Sequence, residues 1–420
     1  MAGQTMAAFD AMLKDVYRGP AVEQLNQDTY LIDQLERQEA NQMGAYTGRR
    51  LVFPVHTSRN RGRGAVTSGG QLPTAGRQGF LDGIVSIKNL FTTIQLDDQL
   101  FRASATNEGA FVRALEVEID GATTDLRKDI TRMAYGTGDG LLASCTSTQS
   151  ARTIAVDNGQ YIAVGDTVDV LTRADGTVKG QGVLVTAVAF TGTAATSSQA
   201  NANVTLASSV SVTNADGIYI AGDRGNESDG LRNIISTSRS LHSIDSSVNP
   251  IWDANTNAAG WVNVNEDTLM QQAQLTAQRG KPIDLYVASY GIQRRLALQY
   301  QSMKRFTDAN AVRVNGGYDA IMLSAGGKPI PVVADADAVN GEAYGLRKDT
   351  FNWAQMGSPD WLQAPDGEGG IWHLTPGATA GTFNATWQAF FGWYATLVCV
   401  RPNANCKVTQ LLDDIPVARI

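Results

Sequence analysis

The chain has 420 residues, of which 43% are hydrophobic and 18% charged, enough for roughly two to four compact units with real cores and too apolar for a disordered chain. Its formal net charge of −7 is not the cationic field of a protein whose main work is to grip phosphate, so bulk nucleic-acid binding is disfavoured. The opening MAGQTMAAFD has no basic segment followed by an apolar run, and nothing downstream approaches the roughly 18 apolar residues of a membrane span. The expectation is a protein made in the cytosol, with no membrane partner.

Residues 5 to 38 read as helix in two pieces broken at Gly19-Pro20, the second with Val22, Leu25, Ile32 and Leu35 on one face. Such an arm needs something to lie against. From Ala40 to Leu81 the composition changes: Arg49, Arg50, Arg59, Arg61, Arg63 and Arg77 occur amid glycines with no acidic residue. About forty residues of this kind build no core of their own. The flanks, Arg49 to Val55 and Gly83 to Leu96, are rich in β-branched and aromatic residues, which predicts a long hairpin with a Gly-rich tip.

Ala105 to Tyr135 carries the strongest helical pattern. Phe111, Leu115, Ile119, Ala122, Leu126, Ile130 and Met133 recur at spacings of three and four, Ser104 or Thr106 caps the start with Glu108 behind it, and Gly136 and Gly138 stop it. A helix of that length spans about 45 Å, and its residues Phe111, Leu115, Ile119, Leu126 and Ile130 are its candidate packing face.

Residues 150 to 222 read as a small β-barrel or sandwich, separable from the rest. Its runs are Thr153 to Val156, Thr167 to Leu171, Gly182 to Phe190, Val204 to Ala207 and Ile218 to Ala221, with turns at Asp175-Gly176 and Asp216-Gly217 and a polar loop at Thr191 to Asn203. A linker with Trp252 and Trp261 follows. Next comes a helix capped by Asn265 and closed by Arg279-Gly280-Lys281-Pro282, then a strand at Ile283 to Ala288. A helix aligning Ile292, Leu296, Tyr300 and Met303 leads to a strand at Pro329 to Ala334, and the end, Ala385 to Val400 and on to Leu412, is a pair of aromatic-rich β runs.

Reactive chemistry is sparse. His56, His242 and His373 lie in three different segments, so a histidine triad or metal site needs convergence across the fold, and polar or structural roles are expected. Cys145, Cys399 and Cys406 are an odd count without metal-ligand spacing, which predicts buried reduced thiols. Gly136-Thr-Gly-Asp-Gly140 follows a helix, whereas a dinucleotide loop follows a strand and opens a helix, so it reads as a helix stop and turn. The pairs Asp335 with Asp337 and Asp413 with Asp414 read as solvated turns. No cofactor, metal or catalytic group is expected. The arginines between 49 and 77 could form a nucleic-acid strip, but only Phe53 and Phe80 are interleaved with them, so acidic protein surface is the preferred contact.

In this order the parts resemble the major capsid protein of tailed bacteriophages, the Hong Kong 97-type fold. The resemblance rests on Ser243-Ile-Asp-Ser-Ser-Val-Asn-Pro-Ile-Trp252 with Asn255, on Gly327-Lys-Pro-Ile-Pro-Val-Val333 followed by Gly345-Leu-Arg-Lys-Asp-Thr-Phe351, and on Gly392-Trp-Tyr394 leading to Arg401-Pro402-Asn403. It implies an α+β fold with an N-terminal arm (1–45), an extended β-hairpin loop (46–96) and a spine helix with peripheral domain (97–145). An inserted β-rich domain (146–225), an axial domain (226–385) and return strands to the peripheral domain (386–420) would follow. It further implies a structural subunit that assembles with itself into pentamers and hexamers of an icosahedral shell, in the virion. The shell would enclose double-stranded DNA with weak nonspecific contact, and scaffolding, portal and decoration proteins are possible partners.

Some relatives join a loop lysine covalently to a neighbouring asparagine. Here the loop tip has no lysine and Lys88 lies at its base, so such a link is not expected. A cellular nanocompartment shell of the encapsulin type is the alternative of the same fold. A carbohydrate-binding protein using the seven tryptophans is the alternative of another class, and it needs an aromatic cleft with paired carboxylates that the pattern does not offer.

Overall fold

The structure, a computed structural model, describes residues 30–40, 45–46, 50–98, 114–192, 198–303, 321–325, 328–363, 371–376 and 382–416. Helix and sheet are mixed, with strands predominating. Among these residues two compact units form. The smaller draws on Asn89–Asp129 and Gly357–Tyr394, and the larger on Asp28–Lys88, Ile130–Met356 and Ala395–Ile420.

The smaller unit centres on the strand Phe383–Cys399 up to Tyr394, with Lys88–Asp97, Asp360–Trp361 and His373–Pro376 paired to it. Leu90 and Ile94 alternate inward on Lys88–Asp97, while Phe91 lies flat over Gly392 and meets Tyr394 edge-on at 5.5 Å. The Trp387 indole donates to Asp98 at 2.8 Å.

The core of the larger unit is a mixed six-stranded sheet in the order Asn255–Val262, Cys406–Leu411, Ala343–Leu346, Leu285–Ala288, Lys328–Ala334, Ile321–Ala325. Leu285–Ala288 is buried on both faces, as its continuous apolar run demands of a central strand. The helices Glu266–Arg279 and Tyr290–Met303 pack on it through Leu269, Ala273, Ile292 and Leu296. Asn265 caps the first helix by accepting from the Asp267 amide at 3.2 Å, and the Gly280 amide closes it on the Thr276 carbonyl at 2.8 Å.

A second six-stranded sheet runs Leu141–Ser144, Asp216–Ile220, Thr167–Thr172, Val178–Phe190, Ala202–Val212, Gln149–Val156. A single antiparallel bridge from Cys145 to Val156 joins its two ends and closes it into a barrel, which leaves neither end strand unpaired there. Its interior is filled by Ile154, Val168, Val170, Val204 and Ile218, all 0% exposed.

Several expectations are corrected. Residues 36–38 are not helical: Glu36–Glu39 is a strand lying parallel to Phe351–Gln355, and of the described part of the expected arm Tyr30–Gln34 is helix. The polar run ERQE has no β signature of its own, and its partner lies more than three hundred residues away. Gly83 to Leu96 is two strands, Gly79–Ser86 and Lys88–Asp97, broken at Ile87. Asp216-Gly217 opens a strand, the turn falling one step earlier at Asn214-Ala215. The tryptophan linker is ordered: Trp252 is buried and Trp261 lies in the edge strand Asn255–Val262 of the central sheet. The pieces placed before residue 30 and the capping group Ser104, Thr106 and Glu108 lie outside the described residues.

Candidate functional site

The feature that a self-contained chain least needs is the hairpin of Arg50–Ser58 with Gly79–Ser86. Near its base the period of two is obeyed: Leu51, Phe53 and Val55 turn inward at 0%, 5% and 9% exposure, with Val85 opposite. Beyond it, every residue from 58 to 78 is exposed. The limbs still touch. A Cβ on Gly62 would stand 2.4 Å from the Gly76 amide nitrogen, so only glycine lets the two backbones approach so closely. The tip turns at Thr67 to Gly70, with the Gly70 amide on the Thr67 carbonyl at 2.9 Å and Gly69 at φ +79°.

This hairpin carries the singled-out arginines. Arg50 lies on the first strand, and Arg59, Arg61, Arg63 and Arg77 on the outer limbs; Arg49 is outside the described residues. All five are exposed, and none of their guanidinium groups has an ion-pair or hydrogen-bond partner among the described residues. Leu72 at 77% and Phe80 at 65% exposure accompany them. Cationic forks interleaved with bare apolar side chains gain nothing inside their own subunit.

The base, by contrast, is held firmly. The Ile84 amide donates to the His242 carbonyl at 2.8 Å, and Phe53 meets the His242 ring edge-on at 6.0 Å. Lys88 donates to the Gly225 carbonyl at 2.7 Å. Beneath lies the turn that the sequence resemblance rests on: Asp245 accepts from the Ser247 amide and hydroxyl at 2.8 and 2.7 Å, and the Trp252 indole donates to the Leu241 carbonyl at 3.2 Å.

The long helix is described over Ala114–Tyr135, about 33 Å at its rise per residue. Of its candidate packing face, Leu126 and Ile130 are buried at 6% and 5%, and Ile119 is half-buried. Leu115 lies in the helix, although its side chain is outside the description, as is Phe111.

No group of three metal-ligating side chains occurs among the described residues, and none of their helices is long and apolar enough to cross a membrane. His56 is exposed beside Gln78 at 2.7 Å, and His242 is buried. The three thiols are buried and free, and burial pushes Cys145 and Cys399 up to about 12, far from nucleophilic. Gly136 to Gly140 ends the helix, the Gly136 amide returning to the Met133 carbonyl at 2.9 Å.

The carboxylates read as solvated turns are instead mostly buried. Asp335, Asp337 and Asp413 are 3%, 7% and 2% exposed. Asp335 accepts the Tyr135 hydroxyl at 2.8 Å, and burial raises its carboxyl. Asp413 accepts the Ser289 hydroxyl at 2.5 Å and the Gly341 amide at 2.9 Å, at the start of the helix Tyr290–Met303. Asp414 alone of the four is half-buried, paired with Arg294 at 2.5 Å. The turns themselves are local, since Asp335 accepts the Asp337 amide at 2.9 Å and Asp413 the Asp414 amide at 2.7 Å, but the side chains that bury these carboxylates, such as Tyr135, lie far off in sequence.

Solved structures share this architecture along nearly the whole chain. The cyanophage A-1(L) capsid asymmetric unit matches with a TM-score of 0.56 at 13% identity, covering 98% of this chain and 100% of that one. The fold is that of a phage capsid protein. The same capsid fold is matched in the capsid of a native GTA particle, at a TM-score of 0.50 and 9% identity, over 97% of this chain and 99% of that one. The holo-SrpI encapsulin complex from Synechococcus elongatus covers 100% of this chain and 99% of its own at 9% identity, with a TM-score of 0.43. No family model and no curated protein matches the sequence.

Proposed function

We propose that this chain is the major capsid protein of a tailed bacteriophage, a structural subunit without catalytic activity that tiles with its own copies into an icosahedral head around double-stranded DNA. The observation that carries the reading is the phage capsid fold, matched over 98% of this chain and 100% of the cyanophage capsid chain. The hairpin supports it, since its exposed guanidinium groups have no ion-pair or hydrogen-bond partner among the described residues and Leu72 and Phe80 stay 77% and 65% exposed.

In this reading residues 1–45 are the arm and 46–96 the extended loop. Residues 97–145 are the spine helix with the peripheral domain, 146–225 the inserted β domain, 226–385 the axial domain that forms pentamers and hexamers, and 386–420 the return strands. Arg49, Arg50, Arg59, Arg61, Arg63 and Arg77 contact acidic surface on the neighbouring subunit, and Phe111, Leu115, Ile119, Leu126 and Ile130 pack the spine. Scaffolding, portal and decoration proteins are further partners, DNA contact is weak and nonspecific, and the assembled protein resides in the virion.

Electron microscopy of the purified full chain, with nucleic-acid extraction from native particles, tests this directly. Closed shells containing double-stranded DNA are expected. Shells holding enzymes instead of DNA would move the protein to the encapsulin class, and particles that stay monomeric under all assembly conditions would overturn the shell reading.

A further inference from the structure

His242 and Ser243 form the two-residue loop between the short strands Ser240–Leu241 and Ile244–Asp245, with φ of +52° and +63°. Two positive φ values in a two-residue hairpin loop are the signature of a type I′ turn, where Asn-Gly is the favoured pair and neither His nor Ser is. Histidine enters the left-handed region more readily than most residues, but burying its ring to 5% exposure costs desolvation that its contacts must offset.

Those contacts join three separate pieces of chain. The His242 carbonyl receives the Ile84 amide of the hairpin, and its ring receives Phe53 of the other hairpin strand. The ring Nε2 accepts from the Cys399 amide at 3.2 Å, at the end of the strand Phe383–Cys399. An Nε2 that accepts carries no proton, so the ring proton sits on Nδ1. That Nδ1 is buried and has no hydrogen-bond partner; the nearest carboxylate oxygen, on Asp229, is 4.0 Å away.

We propose that His242 is an acid-operated latch that holds the base of the hairpin in its closed position while neutral and releases it when protonated. A second proton on the ring abolishes the one hydrogen bond that the ring makes among the described residues, since an imidazolium has no acceptor for the Cys399 amide. The charged groups around it do not compensate. Arg239, on the same turn, repels the charge and is itself engaged with Asp253 at 3.8 Å. Asp229 attracts it, but burial raises that carboxyl, and Lys88 and Arg239 draw on its charge as well. The Cys399 thiol stays neutral, and the hairpin strands offer only Phe53 and Ile84.

Burial, and then Arg239, lowers the closed-state imidazole to about 3 from its ordinary 6.5. The sign follows. A depressed histidine favours the closed state fully at neutral pH, and loses it as pH falls from 6.5 toward 3, because the opened ring takes up a proton that the closed one refuses. From about pH 7 to about pH 4.5 the opening equilibrium should shift roughly 70-fold. The inference concerns one chain and does not depend on shell assembly.

Hydrogen exchange of the full-length chain across that range, corrected for intrinsic rates, is the test. Peptides covering 51–56 and 80–86 should lose protection by roughly 70-fold while those covering 285–288 keep theirs. His242→Asn, which suits a type I′ turn and does not titrate, should flatten the response to within a few-fold. An equal response in the variant, a uniform loss over the whole chain, or no loss in the wild type would each overturn the latch. Imidazole titration by NMR adds a readout that needs no variant: among the three histidines, one should titrate far below the usual range together with the hairpin signals. Three ordinary titrations with an unmoved hairpin would refute it.

Discussion

Gly230 lies where a Cβ would stand 2.4 Å from the Met133 carbonyl oxygen and 2.6 Å from the Gly136 backbone nitrogen and oxygen. All three atoms belong to the backbone at the end of the long helix, so no side chain can swing aside. Gly230→Ala should therefore cost at least about 2 kcal/mol, at the upper part of the overpacking range. A urea midpoint equal to wild type would show that the helix end yields freely. Neither Gly230 nor the buried carboxylates were legible in the sequence, and for one reason. What makes Gly230 indispensable is a chain segment about a hundred residues earlier, and what makes Asp335 a buried acceptor is Tyr135, two hundred residues away. His242 was equally hidden, because a His-Ser pair does not announce a type I′ turn. Residues whose role is local, such as the Asn265 cap and the Gly280 stop, were read correctly from their neighbours alone.

Among the elements, the barrel of residues 141–220 meets the central sheet's loops through a buried polar seam. Gln160 donates its amide to the Ala338 carbonyl at 2.7 Å and accepts the Asn340 amide at 2.9 Å. Tyr161 donates to the Asp337 carbonyl at 2.8 Å, and Gln199 accepts the Asp413 amide at 3.2 Å. The barrel thus satisfies backbone groups that the sheet loops cannot pair for themselves. Gln160→Ala leaves two of them buried without partners and should cost about 2–3 kcal/mol. Thermal unfolding reads it, and a variant as stable as wild type would mean that water replaces the amide at no cost. Linker replacement of residues 146–225 strips all four groups at once, so the remainder should keep its helical signal yet unfold at lower temperature. The strands themselves were visible in the sequence because β-branched runs and turn residues are local signals; closure by a lone Cys145–Val156 bridge was not, because ring closure is a property of register.

At the scale of the whole molecule, two predictions follow from what the hairpin has and lacks. It has no lysine between its strands, and Lys88 at the base is committed to the Gly225 carbonyl. Particles boiled in denaturant should accordingly release a band near 44.8 kDa, and a ladder of multiples that resists reducing agent would contradict this. What the hairpin has is unpaired positive charge, against a chain whose net charge is −7. An exposed ion pair contributes little singly and is screened by salt, but a closed shell repeats it at every subunit contact. Reversing Arg59, Arg61 and Arg63 to glutamate should leave the subunit folded, since none of the three guanidinium groups has an internal partner among the described residues. Assembly should weaken, most at low ionic strength, where the wild-type attraction is least screened and the reversed charges repel most. Deleting residues 58–76 should give the same soluble, assembly-poor subunit. Sedimentation of wild type and both variants across a salt series separates the possibilities. If the variants build shells of wild-type stability and only packaged DNA is lost, the arginines face the genome and not a neighbouring subunit.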